Sequence, residues 1–365
     1  MPTPYLISMT KQKKIAIVCN YALNPNRIGG MDRFYVGYDK KAKELGYEVD
    51  WYFLNYEPFG FYSGLTIFSA NNQNAEHFFL EKVNQENLKY DVLVTHFLAL
   101  CTPFFKNAKG VGIQKTIAVD HNPRPLDGFP FSKIIKNKIK GILYSRYIDH
   151  FVGVSEYTRK HILKDYGFFL TNKTSVIHNG IDTSVFVKRS AENKNKFIVI
   201  SHLRESKGLQ DLIKAVSMLE KDLKNQMQID VYGEGPYENE LIAMVHDYKL
   251  NEIIHFKGGS SQLNVVLAKY SFLLQPTYME CFSLSILESL AANVPVITTT
   301  VGGNLEIIEN DKNGFIFEPK DYFALATILK NIVLENLSIK SDVSFQIETD
   351  YNLEKMVNGH IQLIS

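Results

Sequence analysis

The chain has 365 residues, 45% hydrophobic and 22% charged, with a net charge of +1, proportions of an ordinary soluble globular protein with room for two domains. It has no apolar run long enough to span a bilayer, and its N-terminus passes into Lys11-Gln12-Lys13-Lys14 without the apolar stretch of a signal peptide, which implies an intracellular, cytoplasmic protein. The balanced charge argues against a nucleic-acid partner, and Cys19, Cys101 and Cys281, odd in number and far apart, exclude a disulfide framework or a cysteine zinc site.

In chain order, short apolar runs at Lys14–Cys19, Glu48–Leu54, Asp91–His96, Lys115–Asp120, Asp149–Ser155 and Thr174–His178 read as strands. Helical spacing separates them at Met31–Leu45 and Ser155–Tyr166. The Gly- and Asn-rich, aromatic stretch Asn55–Asn74 breaks this pattern and reads as a long loop. Lys188–Lys196 is polar, and beyond it strands resume at Phe197–Ser201, Met227–Tyr232, Ile253–Phe256, Ser271–Gln275 and Val294–Thr298. Such alternation implies βαβ units, parallel sheets and ligand groups at the carboxyl ends of strands. The expected organisation is therefore two Rossmann-like α/β domains, 1–188 and 189–345, followed by a tail, 346–365, that could return to the first domain as a helix.

After the run Phe272–Leu274 comes a segment that reads as loop, helix, turn and strand, with two acids, Glu280 and Glu288, separated by seven residues. If the helix starts near Cys281, its free amides and positive end form a seat for a diphosphate, with Glu280 beside it and Glu288 two turns further in. Taken singly, each acid reads as a solvated charge. Asn293 at the helix stop and Pro295 before the next strand make the pattern more specific.

The segment resembles the Glu-x7-Glu motif of retaining glycosyltransferases with the GT-B fold, in particular family 4. Gly29-Gly30, Ser155-Glu-Tyr-Thr, His178-Asn179-Gly180-Ile-Asp182, Lys207-Gly208, Gly233-Glu-Gly235-Pro236, Gly302-Gly303-Asn-Leu-Glu306 and Asn313-Gly314 follow in that family's order, so the resemblance runs from about Lys14 to the tail. It implies a nucleotide-diphosphate sugar, UDP- or GDP-linked, held by the second domain, an acceptor glycan or lipid-linked glycan held by the first, and retention of anomeric configuration. In that scheme Glu280 meets hydroxyls of the donor sugar and Glu288 the ribose. Amides near Phe282, Ser283 and Leu284 face the phosphates or sugar.

Breaking the sugar–oxygen bond leaves negative charge on the diphosphate, and fixed cations that meet it lower the barrier. Arg204 and Lys207, between a strand end and a helix start, are the candidates; with no Asp-x-Asp present, the expected enzyme needs no metal and no cofactor beyond the donor. The family's phosphate-binding Arg position is His202 here, with Arg204 two residues later, and Cys281 and Ser283 stand where glycines are usual, so their side chains could narrow the sugar pocket. His121, after the strand Lys115–Asp120, resembles the family's His that reaches the donor sugar across the cleft. Gly29-Gly30 is a candidate loop over the donor phosphate or the acceptor, Gly302-Gly303 resembles the loop that approaches the donor, and Glu306 reads either as part of that approach or as a first-turn helix acid.

Residues 1–188 hold 24 Lys+Arg against 16 Asp+Glu, a net of +8, while 189–365 hold 16 against 23, a net of −7. Part of the excess lies in Ser132–Tyr147, where Lys133, Lys136, Lys138, Lys140 and Arg146 alternate with Ile134, Ile135, Ile139, Ile142 and Leu143. This is a basic amphipathic helix that either packs its apolar stripe into the core or lies on an anionic membrane surface, making the protein peripheral. The combined reading is a metal-independent glycosyltransferase of cell-envelope polysaccharide synthesis. A sugar-nucleotide epimerase of the same fold and a non-catalytic sugar-nucleotide-binding relative compete with it. A dehydrogenase is disfavoured because no Gly-x-Gly-x-x-Gly follows the first strand.

Overall fold

A computed structural model describes residues 13–25, 28–189 and 194–365. The N-terminal segment, on which the expectation of no signal peptide rests, and the middle of the polar stretch 188–196 lie outside the described residues. The first half runs β1 (Lys14–Ala22), α1 (Gly30–Glu44), β2 (Glu48–Asn55), β3 (Thr66–Ser69), α2 (Ala75–Gln85), β4 (Val92–His96), α3 (Pro103–Gly110), β5 (Lys115–Asp120), α4 (Phe131–Tyr144), β6 (His150–Gly153), α5 (Glu156–Tyr166) and β7 (Thr174–Val176). The second runs β8 (Lys196–Ile200), α6 (Leu209–Ser217), α7 (Lys221–Lys224), β9 (Gln228–Tyr232), α8 (Glu238–Asp247), β10 (Ile254–Gly258), α9 (Leu263–Val266), β11 (Phe272–Gln275), α10 (Leu284–Ala291), β12 (Val296–Thr299), α11 (Asn304–Ile307), β13 (Gly314–Phe317) and α12 (Tyr322–Val333). Two further helices, α13 (Phe345–Asp350) and α14 (Leu353–Ile364), end the chain.

The strands form two parallel sheets, ordered β3-β2-β1-β4-β5-β6-β7 and β10-β9-β8-β11-β12-β13. Helices cover both faces, which is why the central strands are apolar throughout rather than alternating: Ile15 to Cys19 and Phe197 to Val199 are all buried. In both sheets the strand order reverses beside the first strand, leaving a crevice at the carboxyl ends of β1 and β4 and of β8 and β11. This is the two-domain Rossmann-like architecture expected of a GT-B fold.

Three sequence expectations need correction. Asn55–Asn74 is not wholly a loop, because it contains a 3-10 turn at Gly60–Tyr62 and the edge strand β3, which pairs with β2 from Asp50↔Thr66 to Phe53↔Ser69. The helix after Glu280 begins at Leu284 rather than near Cys281, because the Ser283 hydroxyl accepts from the Ile286 amide and caps it there. The tail is two helices, since Asn352 interrupts it: its side chain caps α14 through the Lys355 amide, and the flanking backbone pairs with Ile181. α14 packs along α1 of the first sheet's layer, with Val357 against Gly37.

Candidate functional site

A cavity of about 890 Å³ lies between the two sheets, lined in part by residues at or just past strand ends: Phe97 after β4, His121 after β5, His202 after β8, Gly233 to Gly235 after β9 and Gln275 closing β11. Its size suits a nucleotide sugar. Close backbone approach shapes the loops. A Cβ on Gly233 would sit 1.8 Å from the Ser201 carbonyl oxygen and one on Gly235 2.3 Å from that of Leu203, so only glycines let this turn lie against the end of β8.

Glu280 and Lys207 meet in this cleft. The Lys207 ammonium donates to Glu280 Oε2 at 2.9 Å, both side chains being largely but not fully covered. Gly208 makes the meeting possible: it has φ of +72°, and a Cβ there would lie 1.8 Å from the Pro276 carbonyl oxygen. The chain can therefore turn from Lys207 into α6 directly against the loop that carries Glu280. Phe282, Ser283 and Leu284 line the same cavity, and the amino end of α10 opens into it. Ser283, which stands where a glycine is usual, lines the cavity with its hydroxyl engaged. Its hydroxyl is occupied by the cap, by Gln275 and by Ser285. Cys281 is buried, and its Sγ donates to the His121 carbonyl oxygen (3.2 Å), linking the two halves; burial pushes its thiol well above the usual range.

His121 lines the cleft from the first domain, stacked on Phe97 with ring centroids 4.1 Å apart and hydrogen-bonded through Nε2 to His96 Nδ1 at 3.0 Å. Burial, with His360 nearby, pushes its imidazole down to about 3, so it is neutral. The preceding Asp120 is not available for chemistry. It bonds the Asn122 amide and the guanidinium of Arg124, which also holds Asp165, in a buried ionic group.

The other predicted residues divide. Glu288, Gly29 and Gly30 line a smaller cavity of about 200 Å³ that shares Ser260 and Leu263 with the main one. Arg33 of α1 also lines it. Burial raises the Glu288 carboxyl to about 7, with Arg33 pulling it down. Gly30 packs closely across the cleft, where a Cβ would come within 3.2 Å of the Leu284 side chain. Arg204 is exposed and lines neither cavity: Leu203 is buried with its backbone paired to Glu234 and Tyr237, while His202 on its other side is the residue that lines the cleft. Gly303 is a packing position, where a Cβ would meet the Cys281 carbonyl oxygen at 2.6 Å. Glu306 does not reach toward a donor. Its carboxylate accepts from the Glu156 and Tyr157 amides, 2.8 and 2.9 Å, at the amino end of α5, and from His178 Nε2 at 2.9 Å.

Sequence reasoning missed Arg33 and Ser260 and gave no site role to Asn179, which it quoted only within the His178–Asp182 motif. The Asn179 Oδ1 is buried without a partner beside the cleft, while its Nδ2 reaches the Phe282 carbonyl oxygen. The one available signal for Arg33 was its place in the first turn after Gly29-Gly30.

A second cavity, about 580 Å³, lies beyond the Glu280 loop, between Tyr157 and His161 of α5, Phe129 and Ile134 before and within α4, and Tyr278 and Gly302 of the second half. Next to it, α4 faces the wrong way for a core helix. Its buried residues are Asn137 and Gly141, whereas Phe131 is 77% exposed, Ile139 51% and Ile142 68%. Gly141 explains the orientation: a Cβ there would lie 2.0 Å from the Tyr166 carbonyl oxygen, so α4 can rest against the end of α5 only on its small-residue side. Phe168 and Phe169 are also exposed, with the Lys138 ammonium 5.7 Å from the Phe168 ring. No described helix is long and apolar enough to cross a membrane, and among the described residues no cluster of three or more His, Cys, Asp or Glu could hold a metal ion.

Residues 28–185 match the profile of Glycosyltransferase Family 4, and residues 181–345 that of Glycosyl transferases group 1. N-acetyl-alpha-D-glucosaminyl L-malate synthase of Bacillus anthracis is 27% identical over 160 residues, 41% of this chain and 42% of that protein. A Campylobacter jejuni 4-alpha-N-acetylgalactosaminyltransferase, named for its N-acetylgalactosamine-N,N'-diacetylbacillosaminyl-diphospho-undecaprenol substrate, is 29% identical over 151 residues, 40% of each chain. The chain thus spans about two fifths of the length of these relatives. Among solved structures, HepE of Anabaena, in complex with UDP and glucose, shares the fold with a TM-score of 0.76 and 16% identity over 97% of this chain and 99% of that one.

Proposed function

The chain belongs to the family 4 glycosyltransferases of the GT-B fold, and from that premise we propose that it moves a sugar from a nucleotide diphosphate donor to an acceptor hydroxyl with retention of configuration and without a metal ion. The observation that carries this reading is the Lys207–Glu280 pair at the amino end of α10, facing His121 across the inter-sheet cleft. Each part answers one demand of the reaction. The leaving diphosphate needs positive charge, and Lys207, with two donors beyond the one bonded to Glu280, together with the open end of α10, supplies it. The oxocarbenium-like sugar needs acceptors near its hydroxyls, and Glu280 supplies them. The ribose falls to Glu288 in the smaller cavity, where Arg33 is the added cation. UDP bound by HepE in the same fold supports a nucleotide in this cleft. A donor phosphate oxygen takes part in receiving the acceptor proton, so no enzyme nucleophile is required.

The acceptor enters through the second cavity, where the rings of Tyr157 and His161, 4.1 Å apart, form a platform for a saccharide. The outward isoleucines and lysines of α4, with Phe168 and Phe169, suit an anionic membrane surface, so that the acceptor is a lipid-linked glycan of envelope polysaccharide synthesis. The Campylobacter relative's diphospho-undecaprenol substrate supports that class.

Calorimetry and hydrolysis assays with UDP-, GDP-, ADP- and dTDP-sugars test the central reading, with EDTA as the test of metal independence. One donor is expected to bind and turn over unchanged in EDTA. Glu280→Ala is expected to lower turnover by roughly 10²-fold or more. Binding by none of the four, or full activity in Glu280→Ala, would overturn it.

A further inference from the structure

His121 is gripped more tightly than a cleft-lining side chain needs to be, and by two consecutive residues. Strand β4 ends at His96, and in an extended chain the next side chain would point to the opposite face of the sheet. Here Phe97 has φ of +60°, a left-handed conformation unfavourable for an aromatic residue. The turn cancels the alternation, so Phe97 packs on the same core cluster as Phe34 and Tyr35, whose rings His96 meets, while Leu98 joins the other cluster. Both then bear on one imidazole. Phe97 lies flat on the His121 ring, 4.1 Å away at 18°, and His96 Nδ1 bonds its Nε2 at 3.0 Å.

We propose that His96 and Phe97 are positioning residues that commit His121 Nε2 to a hydrogen bond inside the protein and leave Nδ1 as the ring nitrogen turned to the cleft. A hydrogen bond between two neutral imidazoles requires complementary tautomers: one nitrogen donates and the other accepts. Whichever carries the bridging proton, the role of His121 Nδ1 is then fixed as its opposite. Without the bond, a neutral imidazole exchanges between tautomers and meets a sugar hydroxyl correctly only part of the time. His96 is itself held on its far side, with Phe34 and Tyr35 edge-on and the His360 ring of α14 5.7 Å away. Burial keeps His96 and His360 neutral as well. His121 thus acts as a neutral hydrogen-bonding partner rather than a charged group or a proton donor of the reaction. This assignment rests on the cleft being the donor site, but the histidine geometry can be tested without any substrate.

Two-bond ¹H–¹⁵N spectra of histidine-labelled protein at pH 7 read tautomers directly. The wild type is expected to show His121 as one neutral tautomer, and His96→Phe to move its two ring nitrogens toward averaged positions. His96→Gln, whose amide can still bond Nε2, is expected to restore a single tautomer, and His360→Leu to leave it untouched. With UDP-glucose as probe, His96→Phe should lower kcat for hydrolysis on the order of tenfold, with KM changed by less than about threefold. An unaltered His121 spectrum in His96→Phe overturns the proposal whether or not UDP-glucose is turned over. If that variant does not fold, Phe97→Leu serves in its place: it retains the hydrogen bond but not the stack, and an unchanged kcat with an unchanged spectrum then counts against the pair.

Discussion

Glu288 carries an energetic cost within the folded protein. Its carboxyl is raised to about 7 by burial, only partly offset by Arg33. Below the ordinary carboxyl range both folded and unfolded chains hold the proton and the residue is neutral in its effect. As pH rises toward 7 the unfolded chain ionises first, stability falls, and above 7 the penalty is constant, of order 3 kcal/mol. Glu288→Gln is therefore expected to raise the melting temperature by a few degrees at pH 8 and to leave it unchanged near pH 4. The same variant should bind UDP more weakly, by about tenfold or more, because an ionised carboxylate accepting from two hydroxyls is lost. Thermal melts at both pH values with calorimetric UDP titration check this, and a lower melting temperature at pH 8 would contradict it. Glu280, Glu288 and Lys207 were legible in the sequence because their meaning lies in local spacing around a helix start or a Gly208 turn. Arg33, Ser260 and the His96–His121 bond were not. They meet the cleft from elements far apart in the chain, and no local pattern announces a left-handed Phe97 or a buried imidazole pair.

Periodicity told correctly that Ser132–Tyr147 holds an amphipathic helix, although the α-helix stops at Tyr144 and a 3-10 turn follows, but a 3.6-residue stripe is the same whether it faces a core or a lipid surface. What decides the direction is packing: Asn137 and Gly141 are the residues small enough to lie against α5, and Tyr166 forbids a larger one. The isoleucines are left outside as a consequence. Replacing Ile139 and Ile142 together by Asp should then abolish flotation with anionic liposomes while raising, or leaving unchanged, thermal stability. If the stripe were a core face, the same pair would unfold the domain. Loss of stability by several kcal/mol would sink the surface reading, and flotation equal to wild type would sink the membrane one. β3 escaped sequence reading for a related reason: a four-residue edge strand amid Gly and Asn has too few positions for alternation to register, and only pairing with β2 defines it.

Across the whole molecule, the two sheets were legible from the alternation of strands and helices, whereas the contacts that set one half against the other were not. Glu306 was read as a donor-loop or helix-start acid of its own domain, yet it caps α5 of the other and bonds His178. Burial opposes its ionisation, but His178 and the two amides outweigh this and hold the carboxyl below the ordinary range. The sign follows: a lowered carboxyl adds stability above the usual carboxyl pKa, and that contribution is lost as pH falls through the folded value. With Cys281 reaching His121 and Tyr351 donating to the Glu306 carbonyl oxygen, the clamp fixes how closely the halves approach. Its removal should act on closure more than on nucleotide binding, because Lys207, Glu280, Glu288 and the end of α10 all lie in the second half, with Arg33 contributed by the first. Glu306→Ala is expected to enlarge the radius of gyration by X-ray scattering, to leave UDP affinity within about threefold, and to lower sugar transfer on the order of tenfold or more by admitting water and misplacing His121. Glu306→Gln, which keeps an acceptor for the α5 amides, should fall between. Unchanged dimensions and unchanged transfer in Glu306→Ala would mean that the cleft is held by the α1–α14 packing alone.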